Sequence, residues 1–269
     1  MPDLNPLNWW ARLLALPNES RTKTIAMAFI VSGICALLVS SAAVLLAPMR
    51  DANLAAEREA RLAAMLESMP GLADIVAQYG ADSLETVVVD LETGEPTDID
   101  PATFDIAAAA EDPETSSIIP GEADIAGLGR RADLAPIHIL REDGELRLVI
   151  LPISAVGYQS TIRAHLALEG DLNTVAGLSI IEQAETPGLG ARIEEPAWQA
   201  LWPGKELAGD DGEIRLSVVR GRATSAFEVD GITGATRTGN AITAAIHFWL
   251  GEYGFDDVLA NLRQGAGLQ

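Results

Sequence analysis

Apolar and polar positions follow three rhythms along this chain, and each predicts a different kind of element. The first is a run with no charged interruption: residues 24–47, TIAMAFIVSGICALLVSSAAVLLA, hold no charge over 24 positions. About 20 apolar residues suffice for a helix to cross a hydrocarbon core, so the run predicts a membrane span. A cleavable signal has a shorter apolar region, of roughly 7–15 residues, and here Pro48 stands where cleavage would fall. A lipoprotein signal needs a small residue before its cysteine, and Ile34 precedes Cys35.

The second rhythm is helical. Residues 50–69 mix Ala, Leu, Glu and Arg at helical spacing and predict a stalk that continues the span. Gly71 and Gly80 bracket a shorter helix, and LNWWARLLAL (residues 7–16), with paired Trp and a basic residue, reads either as a short helix on the membrane surface or as a disordered tail. Residues 195–202 predict a short helix, and residues 239–264 a longer helical stretch broken at Gly251 or Gly254.

The third rhythm is that of strands. Residues 84–100 alternate and break at Gly94-Glu95-Pro96; residues 137–153 form a hairpin turning at Asp143-Gly144; residues 160–183 form a second hairpin turning near Gly170-Asp171; residues 213–221 form a further strand. Residues 104–136 are acidic, punctuated by Gly and Pro and poor in large apolar side chains, which predicts a surface excursion, in part mobile. The order of elements predicts an α+β domain with a mainly antiparallel sheet flanked by helices. The expected organisation is a cytoplasmic segment at 1–23, a span at 24–47, a neck at 48–80 and a large domain at 81–269.

Charge sets the orientation. The net charge is −21, from 18 basic and 39 acidic residues. Residues 1–50 hold four of the basic and two of the acidic ones, leaving 14 and 37 beyond Arg50, a net of −23. Arg12, Arg21 and Lys23 precede the span, so the N-terminus is expected in the cytoplasm and the acidic part outside. So acidic a domain is a poor match for nucleic acid. One cysteine excludes an intrachain disulfide, and His138, His165 and His247 lie far apart in sequence with no metal-type partner nearby. There is no strand–GxGxxG–helix unit and no Walker loop, so nothing points to a nicotinamide or ATP site.

Two glycine-rich stretches carry the candidate chemistry. In DGITGATRTGNAI (230–242), Thr233, Thr236 and Thr238 lie at or near the first turn of the last helical stretch. The unpaired N–H groups and positive dipole end there suit a phosphate. Gly231 and Gly234 let an anion approach, Ala235 adds little bulk, and Arg237 adds charge. On these grounds alone, a Thr hydroxyl simply capping the helix is the reading to prefer. In EQAETPGLGARI (182–193), the turn Thr186–Gly190 offers open backbone and one apolar side chain, Leu189, to a planar ligand, or else merely joins a strand to a helix.

Asp230-Gly231-Ile232-Thr233-Gly234-Ala235-Thr236 resembles the D-x-x-[ST]-G-A-[ST] flavinylation motif of FMN-binding domains in two related bacterial respiratory complexes, and ETPGLG resembles their second hallmark. The N-terminal anchor (SRTKTIAMAFIVSGICALLVSSAAVLLAPMRDAN) and the C-terminal HFWLGEYGFDDVLANLRQG are similar to the NqrC family, which belongs to the Na+-translocating NADH:quinone reductase. The acidic segment 98–136 lies outside the resemblance.

The resemblance implies an electron-relaying subunit of a respiratory ion pump in the bacterial inner membrane. Its large domain would be periplasmic, with FMN joined through its phosphate to Thr236 by a separate flavin transferase. Asp230 and Thr233 would shape the turn or be read by the transferase. Glu185, Thr186, Gly188, Leu189, Tyr158 and Ser160 would lie near the flavin. NADH oxidation, quinone reduction and ion passage would fall to other subunits.

Two departures stand out: Gly157-Tyr158-Gln159-Ser160 is closer to the flavin subunit of the Rnf-type ferredoxin:NAD oxidoreductase, and Gln183 stands where the family often has His. The Rnf-type carrier, a non-redox anchored assembly module and a solitary flavoprotein reductase are the competing readings.

Overall fold

The computed structural model describes residues 20–68 and 84–265, together with Ala15 and Pro17. The expected surface helix at 7–16, but for Ala15, and the short helix between Gly71 and Gly80 lie outside the described residues. The chain divides into two compact units, Met1–Glu59 and Ala60–Gln269.

The uncharged run lies in the first unit, within helix α1 (Arg21–Ser68), which also takes in most of the predicted stalk. Its window Arg21–Ser41 has a mean hydropathy of 2.1, long and apolar enough to cross a membrane. Phe29, Leu37, Leu38 and Val44 are all exposed. A helix apolar all round its surface is not a soluble surface helix.

The second unit is built on a five-stranded antiparallel meander, β1 (Leu84–Asp90), β4 (Leu134–Glu142), β5 (Glu145–Val156), β6 (Thr161–Glu169) and β7 (Val175–Glu182), lying side by side in that order. Both predicted hairpins are present. Glu142 pairs with Glu145, leaving the two-residue loop Asp143-Gly144 with φ of 52° and 82°. Both loop residues are left-handed, the twist that matches the flanking strands and that Asp-Gly supplies cheaply. In the second hairpin Asp171 accepts from the N–H groups of Asn173 and Thr174 at 2.9 and 2.8 Å. A Cβ on Gly170 would lie 2.0 Å from the Leu146 carbonyl oxygen, so only glycine turns the chain there.

Helices α4 (Thr236–Trp249) and α5 (Asp256–Arg263) follow the second glycine-rich motif. Ala241, Ile242, Ala245, Ile246 and Trp249 form one buried stripe of α4, at the spacing an amphipathic helix presents to a core. That stripe joins Val149, Leu151, Ile153, Ile162, Ala164 and Leu166 of the sheet in one core. The Trp249 indole donates to the Ser154 carbonyl at 2.8 Å and tilts against Phe255, 5.6 Å between centroids. The break between the two helices falls at Leu250–Phe255, spanning both expected glycines. Gly254 approaches the Trp249 carbonyl so closely that a Cβ would lie 2.1 Å from it.

Four expectations change. The acidic excursion carries α2 (Ile106–Glu111) and a small ribbon of β2 (Ser116–Ile118) with β3 (Arg130–Ala132). A few apolar anchors, Ile119 and Ala126 among them, join it to the core, and side-chain bonds order the rest: Asp105 caps α2, Arg130 donates to the Ser116 carbonyl at 2.6 Å, and Asp124 accepts from Leu128 and Gly129. The strand expected over 213–221 shrinks to β8 (Ser217–Val218), paired parallel with β9 (Glu228–Val229). The helix expected from residue 195 is the short α3 (Pro196–Gln199), preceded by a 3-10 turn over Gly190–Glu194. Finally, His138 and His165, distant in sequence, meet edge to face at 5.8 Å because β4 and β6 flank β5.

Burial lowers both histidines, His138 to about 4 and His165 to about 3, the latter also through its neighbour His138. The Thr86 hydroxyl bonds His138 Nδ1 at 2.9 Å, whereas His165 Nδ1 is buried without a partner. Both folded-state values lie below the unfolded value near 6.5. The unfolded chain therefore binds more protons on acidification, and the stability present above about pH 6.5 is lost as pH falls toward 4 and 3. Each histidine should cost about 2 kcal/mol by pH 5. Urea unfolding of the full chain in detergent at pH 7.5 and pH 5 checks this. The His165→Phe variant should lose roughly half of the difference; an unaltered pH dependence would refute the assignment.

Candidate functional site

The two glycine-rich motifs lie far apart in sequence and meet at the N-terminus of α4. Thr236 is the first residue of that helix and is half-buried. The residue before it, Ala235, occupies the cap position and makes no side-chain hydrogen bond. The simple capping reading of the threonines is therefore not the one the chain adopts. The first-turn N–H groups retain their positive end of the dipole, free of a side-chain oxygen.

A pocket of about 220 Å3 opens at this point. It is lined by Val218, Val219, Arg220 and Gly221 from the end of β8 and by the motif residues Gly231 to Thr236, with Gly239 and Asn240 behind. Close backbone approach forms its floor. The Gly231 N–H donates to the Gly221 carbonyl at 2.9 Å, and a Cβ on Gly231 would lie 2.1 Å from the Val219 carbonyl oxygen. Asp230 points away from the pocket in its bonding: its carboxylate accepts from the Ala223 N–H at 2.7 Å and its carbonyl from the Trp198 indole at 2.9 Å. It shapes the loop that brings Arg220 to the rim. Gly234 adopts φ +83°, and a Cβ there would meet Leu189 Cδ2 at 3.0 Å. Leu189 of the first motif thus rests on the turn of the second.

The other expected residues divide into two groups. Tyr158, Gly188 and Leu189 are exposed beside the turn, and the Arg237 guanidinium lies 5.5 Å from the Tyr158 ring centroid, a cation–π contact. Arg237 is thereby directed to an aromatic face, while Arg220 lines the pocket. Glu185 and Ser160 are instead bound into the protein. The Ser160 hydroxyl accepts from Ala184 N–H at 2.8 Å. Glu185, only 4% exposed, accepts from the N–H groups of Tyr158 and Gln159 through Oε1, both at 2.9 Å, and from the Thr238 hydroxyl through Oε2 at 2.6 Å. Burial pushes this carboxyl upward, but the hydrogen bonds from Gln159, Thr238, Tyr158 and Ser160 outweigh it, and the net direction is down. The departing residues serve the same loop: Gln159 donates to the Thr186 hydroxyl at 3.1 Å, and Gln183 accepts from the Glu185 N–H at 2.5 Å.

Arg220, Gly221, Asn240 and the Glu185–Thr238 bond were not singled out by sequence reasoning. Arg220 did carry a signal, as one of three arginines between residues 214 and 227, a stretch without Asp or Glu in a chain otherwise strongly acidic. Its proximity to the motif depends on the parallel β8–β9 pair.

The residues present fit a flavin mononucleotide: a glycine-floored pocket, an uncapped helix N-terminus and an arginine for the phosphate, with exposed Leu189 and Tyr158 for a planar ring. In agreement, residues 157–251 match the FMN-binding domain family, and fold and site together define an FMN-binding domain joined to a membrane-type helix. The NqrC protein of the Na(+)-translocating NADH-quinone reductase of Pseudomonas aeruginosa is 41% identical over 203 residues, 73% of this chain and 78% of that protein. Its counterpart in Yersinia pestis is 41% identical over 198 residues, 72% and 74% of the two chains. The crystal structure of Shewanella oneidensis NqrC superposes with a TM-score of 0.64 at 35% identity, over 72% of this chain and 88% of that one. The chain belongs to the NqrC family of the Na(+)-translocating NADH-quinone reductases.

Because the carbonyl that faces Gly231 is backbone, Gly231→Ala cannot be absorbed by a side-chain shift. Overpacking of this kind costs about 1–3 kcal/mol, which lowers the melting temperature by several degrees in a domain of this size. Thermal unfolding followed by circular dichroism measures it, and an unchanged melting temperature would contradict the close approach.

Proposed function

We propose that this chain is the membrane-anchored FMN-carrying subunit of a Na+-translocating NADH:quinone reductase, and that FMN is attached through its phosphate to Thr236. The reading rests above all on one observation: Thr236 opens an uncapped helix at the wall of a glycine-floored pocket with Arg220 at its rim. Bound FMN supplies the redox chemistry, and the protein orients it and adjusts its potential. The N-terminus of α4 and Arg220 hold the phosphate charge, and Leu189 and Tyr158 flank the ring.

A Thr hydroxyl is a weak nucleophile without help. In our reading a separate Mg2+-dependent flavin transferase activates it. The Thr236 oxygen attacks the flavin-side phosphorus of FAD, the P–O bond to AMP breaks, AMP departs and the transferase takes the hydroxyl proton. Thr236 is then a modified residue and not a recurring nucleophile.

Residues 24–47 form the anchor, 48–80 the neck, and 81–269 the flavin domain on the periplasmic side of the bacterial inner membrane. Arg21 and Lys23 ahead of the span favour that orientation. Other subunits oxidise NADH, reduce quinone and conduct the ion, since the run 24–47 offers no intramembrane charge for an ion path.

Expressed in full length with a flavin transferase, the wild type should give a fluorescent band on a denaturing gel and a flavin-modified peptide containing Thr236. Thr236→Val should abolish both with little change in melting temperature. Flavin retained on the variant would refute Thr236 as the attachment point.

A further inference from the structure

Glu185 stands behind the pocket, and its surroundings give it a role distinct from flavin contact. Both of its oxygens are occupied by protein donors: Oε1 by the N–H groups of Tyr158 and Gln159, Oε2 by the Thr238 hydroxyl. Three separate segments therefore converge on one carboxylate: the β5–β6 turn, the ETPGLG loop and the first turn of α4. The space for it is made by glycine. A Cβ on Gly157 would lie 2.6 Å from Oε1, and one on Gly190 would lie 2.8 Å from Oε2 and 2.6 Å from the Thr238 hydroxyl.

Thr238 is 1% exposed, so its hydroxyl is closed to modification. It lies two residues after Thr236 in the same helical turn. The cap residue Ala235 offers that turn no side-chain bond. The bond to Glu185 ties that turn to the ETPGLG loop. A short bond to an ionised acceptor is stronger than one between neutral groups, and it holds the helix start in one rotation about its axis. Successive residues of a helix point about 100° apart, so fixing Thr238 inward fixes where Thr236 faces.

We infer that Glu185, acting through Thr238, is the positioning residue that presents the Thr236 hydroxyl for flavin attachment. The inference rests on Thr236 being the acceptor, as proposed above. It adds that the acceptor is aimed by a buried carboxylate from the other motif, which gives the two motifs a shared mechanical purpose.

The test uses the full-length chain in detergent as substrate for a flavin transferase with FAD and Mg2+. Attachment is followed by in-gel fluorescence and by mass spectrometry of the Thr236 peptide. Thr238→Val, nearly the same shape without the hydroxyl, should lower the turnover number about tenfold, the scale of one positioned hydrogen bond. The KM for FAD should be unchanged, since the transferase binds that substrate. Thr238→Ser restores the hydroxyl and should return the rate to within about twofold of wild type.

A Thr238→Val protein modified at the wild-type rate would overturn the inference and leave the attachment site intact. An unmodified wild type would overturn the attachment reading instead, and the inference with it. If Thr238→Val does not fold by circular dichroism, Thr238→Ala takes its place. Loss of fold in both would make the bond a stability element and would overturn the positioning role.

Discussion

A carboxylate can leave water only where donors replace the water it gives up. Glu185 meets that condition with backbone N–H groups of the β5–β6 turn and the Thr238 hydroxyl, all drawn from segments distant in sequence. Satisfying this charge forces the β5–β6 turn, the ETPGLG loop and the start of α4 into one arrangement. The glycines at 157 and 190 and the glutamines at 159 and 183 fit around it. Removing any donor would leave a buried charge short of partners, a larger loss than the bond itself contributes. The site is therefore specified by one electrostatic requirement more than by shape.

The framework that makes this possible is simple. The meander carries the core on the face where α4 docks, and Trp249 and Phe255 fix the helix at its far end. At its near end Gly239 allows Val218 to approach, with 3.0 Å between a hypothetical Cβ and Val218 Cγ1. The helix start is thereby set against the end of β8, where Arg220 emerges. In a domain with far more acidic than basic groups, an arginine lining this pocket provides a local reversal of field, and the dipole of α4 adds to it.

Much of this was legible in the sequence, for reasons that differ by element. Asp143-Gly144 announces its hairpin because few other pairs tolerate two left-handed residues. The apolar spacing of 239–264 announces helices because their burial is one-sided. The two glycine-rich stretches stood out because an apolar core has no use for so much open backbone, but their residues alone left a helix cap and a plain connection open. The β8–β9 pair was illegible: its two-residue strands take their geometry from what surrounds them, and the parallel pairing joins segments that no local pattern relates. The acidic excursion was illegible for a related reason, since Asp105, Asp124 and Arg130 order it through side-chain to backbone bonds that leave no periodicity. Glu185 looked like a ligand contact because it stands in the motif; only the fold reveals that the protein itself has taken both of its oxygens.

The hairpins of the meander close over loops of a few residues, whereas the bonds of Glu185 span 27 residues to Tyr158 and 53 to Thr238. Loop closure costs more entropy as the loop lengthens, so contacts of low sequence separation form readily and distant ones late. Strands β4 to β7 pair through short turns, whereas β1 reaches β4 across residues 91–133 and so belongs, with the bonds of Glu185, to the long-range contacts of the domain. The shape of the turn at Thr236 therefore depends on contacts that close only when distant parts of the chain are in place. Under the attachment proposed at Thr236, that dependence would reserve the modification for folded chains.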